Sequence, residues 1–191
     1  GIRVRFHNDV RRFVFVNDEG QRFVDERARR DELKEKILVQ NNKSCYCIID
    51  NDGLETLDLL VRRDAIRAAE TSDAVKAQSL EELASALNIP ATTLTNTIEE
   101  RNAEIAFDKP QSRRFPIQTA PFWAARVGMR IHYTMGGLQI NEKAQCLKEG
   151  KTILGLYAAG EIHGRNRIGG NGLADAFTFG MIAAENLVSE S

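Results

Sequence analysis

The densest run of chemistry-capable residues lies between 159 and 175. Gly160 and Glu161 follow an apolar stretch, His163, Arg165, Asn166 and Arg167 come next, and Gly169, Gly170, Asn171 and Gly172 open onto a helix-like segment. Glycines let a backbone approach a ligand closely, and the first amides of a helix are unpaired donors at the positive end of its dipole. That combination suits an electron-rich ligand atom, although a tight turn leading into a helix would share the spacing. A second cluster sets His132, Tyr133 and Thr134 just ahead of Gly136 and Gly137. A lone histidine there reads as structural as readily as ligand-binding. A third cluster is Arg27, Arg29 and Arg30, where spacing alone favours a solvated surface cation. Cys45, Cys47 and Cys146 are odd in number, with no second pair or histidine cluster at metal-ligand spacing, so reduced, partly buried thiols and no metal site are expected.

The elements that must position these residues follow from periodicity. Apolar β-formers on both sides of Asn17-Asp18-Glu19-Gly20 predict a β-hairpin over 13–24. Leu33, Ile37 and Leu38 predict a helix from about Asp31, which puts Arg30 at the hairpin-to-helix junction. A short strand is expected over 46–50 and one helix over 54–69. Ser79 followed by Glu82 is a capping pattern that predicts a helix over 80–87. Another helix is expected over 94–106, with Pro90 in its first turn. The stretch 109–121, rich in proline, serine and arginine, reads as a linker. Beyond it, strands are expected over 122–130, 137–140 and 153–159, the last one buried, with a turn at Gly150-Lys151. A final helix over 171–188 would make apolar contacts through Ala174, Phe177, Ile182, Ala183 and Leu187.

Bulk properties limit the partners. With 26 lysines and arginines against 27 aspartates and glutamates, no overall field favours nucleic acid or a membrane surface. No apolar run approaches the roughly 20 residues that cross a bilayer, so a soluble protein, periplasmic or cytoplasmic, is expected.

Taken in order, the motifs carry a family resemblance. His132-Tyr133-Thr134-Met135-Gly136-Gly137, then Gly155-Leu156-Tyr157-Ala158-Ala159-Gly160-Glu161, then His163 through Asn171, resemble the C-terminal FAD and substrate motifs of the fumarate reductase and succinate dehydrogenase flavoproteins. Gly20 through Glu26, followed by Arg30-Asp31, is similar to the capping-domain segment that carries that family's catalytic arginine. Because the chain stops soon after its last helix, the flavocytochrome c branch is the expected one. The resemblance implies an α+β fold: a β-hairpin and helical capping (clamp) domain portion over 1–115, then the C-terminal strands and final helix of an FAD-binding domain over 116–191.

The same resemblance implies roles. Arg30 would protonate the substrate carbon, while His132, Arg167 and the Gly170 amide would hold a substrate carboxylate. Tyr133, Glu161, Gly172 and Leu173 would contact FAD. The implied reaction is hydride transfer from reduced FAD to the double bond of an unsaturated dicarboxylate or related acid. An arginine acid serves only if a relay replaces its proton, since its pKa lies far above neutrality. Met181 stands where the family commonly has arginine. Rival readings are a non-catalytic partner or assembly subunit and an aspartate-oxidase-type enzyme; a ketosteroid dehydrogenase would have no use for Arg30, His132 and Arg167 together. No GxGxxG fingerprint follows a strand, so the pyrophosphate-binding unit is expected from a missing N-terminal FAD-binding segment or chain. The electron donor is left open.

Overall fold

A computed structural model describes residues 5–129, 136–163 and 172–189. The chain divides into two compact units, Gly1–Met129 and Arg130–Ser191.

The first unit is built on an antiparallel sheet of β1 (Phe13–Val16), β2 (Ser44–Ile49), β3 (Val75–Ala77) and β4 (Phe122–Gly128), in the order β1-β2-β4-β3. Side chains alternate across a strand, and here both faces are covered, which is why β1 is an unbroken apolar run and β2 is one after Ser44. Phe13, Phe15, Cys45, Cys47, Ile49 and Trp123 face one core with Val61, Ala65 and Ala68 of α3 (Leu59–Glu70). Val14, Val16, Tyr46, Ile48 and Ala124 face the other. There they meet Leu83 and Leu87 of α4 (Leu80–Leu87) and Leu94 and Ile98 of α5 (Ala91–Ala103). All three cysteines are free and buried, and burial pushes the Cys45 thiol up to about 12, so the expectation of reduced thiols is met.

Several local expectations are refined. The hairpin over 13–24 shrinks to one bridge, Val16 to Arg22, around a turn held by Asn17; β1 pairs along its length with β2 instead, because that pairing buries both its faces. The helix expected over 54–69 is two helices, α2 (Asn51–Glu55) and α3, each with its own aspartate cap: Asp50 accepts from the Gly53 N–H and Asp58 from the Leu60 N–H. The capping pattern at Ser79 is formed as read, with Ser79 Oγ accepting the Glu82 N–H at 3.1 Å and Glu82 accepting the Gln78 N–H at 2.8 Å. Pro90 is the N-cap of α5, one position earlier than expected. β4 lies in the interior of the first unit's sheet, and the contact boundary falls after Met129.

In the second unit, β5 (Gln145–Lys148) and β6 (Lys151–Tyr157) form a two-stranded ribbon turning at Gly150, whose φ is +78°. The strand expected over 137–140 is a single bridge, Ile140 to Cys146. A 3₁₀ turn, Gly160–His163, precedes the final helix α6 (Gly172–Ser189). The expected burial of 153–159 is confined to its end: Ala158 is buried with Ile140 and Cys146, whereas 153–156 are exposed, Leu154 at 94%, and Phe177 of α6 is 72% exposed. A two-stranded ribbon covers neither of its own faces, and among the described residues no second layer closes over these side chains. Among the described residues no helix is long and apolar enough to cross a membrane.

Candidate functional site

Arg30 is the first residue of α1 (Arg30–Leu38), and its setting is fixed by the segment before it. Glu26, 1% exposed, accepts the Phe15 N–H at 3.0 Å and takes the Arg22 guanidinium on both oxygens, tying the segment to the edge strand β1. Asp25 accepts the Arg27 N–H and also receives the Arg27 guanidinium through two nitrogens, at 3.0 and 2.8 Å. That bidentate hydrogen bond holds the Asp25 carboxyl down at about 2. The remaining Arg27 nitrogen reaches Asp108 at 3.1 Å. Arg29 closes on Asp31 at 2.8 Å. The Arg30 guanidinium is exposed and has no hydrogen bond or ion pair with any described residue.

A charge network missed by the sequence reading surrounds this segment. Arg114, with a side chain 3% exposed, donates to Asp108 and to Glu104, and Glu104 also pairs with Arg22. The Arg114 hydrogen bond holds the Asp108 carboxyl well below the usual carboxylate range. These residues fall in or beside the stretch read as a linker. Glu104 and Asp108 also take Arg22 and Arg27 from about eighty positions away, pairings that no local pattern signals.

The second unit places Glu161, Gly172 and Leu173 around the junction of the 3₁₀ turn and α6. Gly160, at φ +77°, has its Cβ position 3.4 Å from the Ala176 Cβ, so turn and helix pack with no side chain between them. His163 is buried, its Nε2 lies 2.7 Å from the Asp175 carboxylate, and its ring packs on Phe179 with centroids 5.0 Å apart. Glu161 and Leu173 are exposed beside this junction and Gly172 is half-buried. The 3₁₀ turn carries the Glu161 carboxylate, an acceptor, and the first amides of the 18-residue α6 are donors at the positive end of its dipole. His132, Tyr133, Arg167 and Gly170 lie outside the described residues. Among the described residues no group of histidine, cysteine and acidic side chains is placed to hold a metal.

The sequence profile described as an FAD binding domain matches residues 9–173. The chain belongs to the FAD binding domain family. It is 41% identical over 184 residues to an NADH:acrylate oxidoreductase of Vibrio harveyi, covering 91% of this chain and 18% of that protein. To the fumarate reductase (cytochrome) of Shewanella frigidimarina it is 34% identical, covering 93% of this chain and 32% of that one. The open conformation of a flavocytochrome c3 fumarate reductase superposes with a TM-score of 0.76 at 33% identity, over 94% of this chain and 33% of the other. The chain thus spans a third or less of these relatives. The motif resemblance to fumarate reductase flavoproteins and the α+β fold are both borne out, and FAD is the family's cofactor.

Proposed function

We propose that this chain is the part of a flavin-dependent reductase that supplies the proton donor and the carboxylate-binding groups for reducing an α,β-unsaturated carboxylic acid. The observation that carries the reading is the isolation of Arg30. Its neighbours Arg27 and Arg29 are both closed on carboxylates, whereas its own guanidinium is unpaired among the described residues, at the first turn of a helix and open to a ligand. In this reading the unit Gly1–Met129 is the capping portion and Arg130–Ser191 the return of the FAD-binding domain.

FAD, when bound, supplies the hydride that adds to the β-carbon. His132, Arg167 and the Gly170 amide hold the carboxylate, drawing electron density from the conjugated double bond so that the β-carbon becomes electrophilic. Arg30 delivers a proton to the α-carbon as negative charge develops there, which yields the saturated acid, and it is then reprotonated from solvent through a relay. The Glu161 carboxylate accepts from the ribityl hydroxyls. Tyr133, Gly172 and Leu173 offer backbone groups to the ring. The pyrophosphate is held by a segment or chain beyond residues 1–191. Relatives that reduce fumarate or acrylate, by their names, share a carboxylate beside the double bond, which is the feature these residues address.

The test is Arg30→Gln in the full-length flavoprotein. Turnover with fumarate and with acrylate should fall about 10²–10⁴-fold with FAD still bound, the range for losing a general acid. Wild-type turnover in that variant would rule out the proton-donor role and leave the non-catalytic reading standing.

A further inference from the structure

Nothing in the described structure holds the Arg30 side chain, so its placement is set by the backbone that carries it. The far end of α1 is anchored through Ile37, the single residue of that helix that is fully buried. The near end has only a partly buried contact, Leu33 against the first core. Arg29, the N-cap residue, makes no side-chain capping bond, and residues 29–32 are all exposed. What ties the segment just ahead of Arg29 is the ion-pair chain. The Arg27 guanidinium bridges Asp25, on its own segment, and Asp108, in the loop after α5. Asp108 is 4% exposed and is itself clamped by Arg114 at 2.9 Å. From this tie to the helix there is no slack: the Ala28 N–H donates to the Asp25 carbonyl at 2.9 Å and the Leu33 N–H to the Arg29 carbonyl at 2.9 Å.

We propose that Arg27 and Asp108 are positioning residues for Arg30, fixing the start of α1 against the Arg114-anchored loop so that the donor guanidinium is presented in register. The proposal rests on Arg30 being the proton donor. A planar guanidinium fits the role because it can bond two carboxylates at once in fixed directions, which a lysine ammonium cannot. Asp108 is the firmer partner, since its carboxylate is buried and held from two sides, whereas Asp25 belongs to the segment being positioned.

The experiment compares Arg27→Gln, Arg27→Lys, Asp108→Asn and Arg30→Gln in the full-length flavoprotein, with turnover counted per bound FAD and the solvent isotope effect on kcat measured alongside. A displacement of about 1 Å at a reacting group can cost on the order of 10²-fold. Arg27→Gln should therefore lower kcat per flavin by about 10- to 100-fold with KM for the acid nearly unchanged. It should also raise the solvent isotope effect, because proton delivery becomes slower. Arg27→Lys should recover part of kcat, and the double variant Arg27→Gln/Asp108→Asn should be little worse than either single one. If Arg27→Gln and Asp108→Asn lose flavin and activity in proportion, leaving turnover per flavin at the wild-type value, the pair is a structural brace and the proposal is overturned. If Arg30→Gln is inactive while Arg27→Gln turns over normally, the proposal also fails but the proton-donor reading survives. An active Arg30→Gln would remove that reading itself.

Discussion

Arg30 and Arg27 sit three positions apart, yet one is open and the other closed, and local carboxylate supply accounts for the difference. Asp25 and Asp31 lie two residues from Arg27 and Arg29 and capture them, leaving Arg30 with no partner among the described residues. The captured carboxylates carry a pH dependence whose sign is fixed. Asp25 titrates at about 2 in the fold against 3.8 in an ordinary chain, so the unfolded form takes up its proton first. Its stabilising contribution is present above about 3.8 and is lost as pH falls towards about 2. Being partly exposed, the pair is screened and its contribution is modest. Denaturant unfolding followed by the fluorescence of Trp123, the single tryptophan, should show Asp25→Asn less stable than wild type at pH 6. The gap should narrow through pH ~4 to ~2. A gap independent of pH would mean that Asp25 acts through its shape and not its charge.

At the scale of elements, caps decide where the helices of the first unit begin. Ser79 and Glu82 are three apart and act within one turn, so this start was legible in the sequence and is formed as read. Asp50 was not legible in the same way. It caps α2 through the Gly53 N–H at 2.9 Å, but its other oxygen accepts the Gln118 and Thr119 N–H groups at 3.0 and 3.1 Å, nearly seventy residues away. Periodicity over 54–69 cannot see such a bond, and so one helix was read where two exist. The hairpin over 13–24 fails for the same reason: the turn chemistry at Asn17 and Gly20 is local and correct, whereas the partner of β1 is set by a distant strand that buries both its faces. The candidate site divides likewise. Motif order pointed to Arg30, Glu161 and Gly172, while Glu104 and Asp108 become meaningful only once the chain has folded back to bring Arg22 and Arg27 to them. The two caps should differ in energetic weight. Ser79→Ala removes one exposed bond and should cost about 1 kcal/mol. Asp50→Ala leaves three amides without their acceptor in a site where Asp50 is 2% exposed, and should cost about 3 kcal/mol in the same unfolding measurement.

For the whole molecule the question is how much of a flavin site 191 residues can make. The chain covers 32% of the fumarate reductase it resembles and carries no glycine fingerprint after a strand; in the proposed reading the donors that neutralise a dinucleotide pyrophosphate therefore come from another segment. In that reading its share of the site is Glu161 and the start of α6, proposed to address the ribityl chain and the ring. Binding energy for a ligand as large as FAD is spread over its length, and losing the doubly charged centre of the ligand removes the contacts that anchor it. The second unit gives an independent sign in the same direction. Leu154, Leu173, Phe177 and Met181 are 94%, 75%, 72% and 66% exposed, a set of side chains whose apolar area is stabilising only when covered. The chain of residues 1–191 mixed with excess FAD and passed through a desalting column should therefore emerge without flavin absorbance, whereas the full-length protein should emerge yellow. A dye that fluoresces in apolar surroundings should light up with the former and much less with the latter. One FAD retained per chain of residues 1–191 would show that the pyrophosphate is held by groups within these residues, and the division of the cofactor site argued from the missing fingerprint would be wrong.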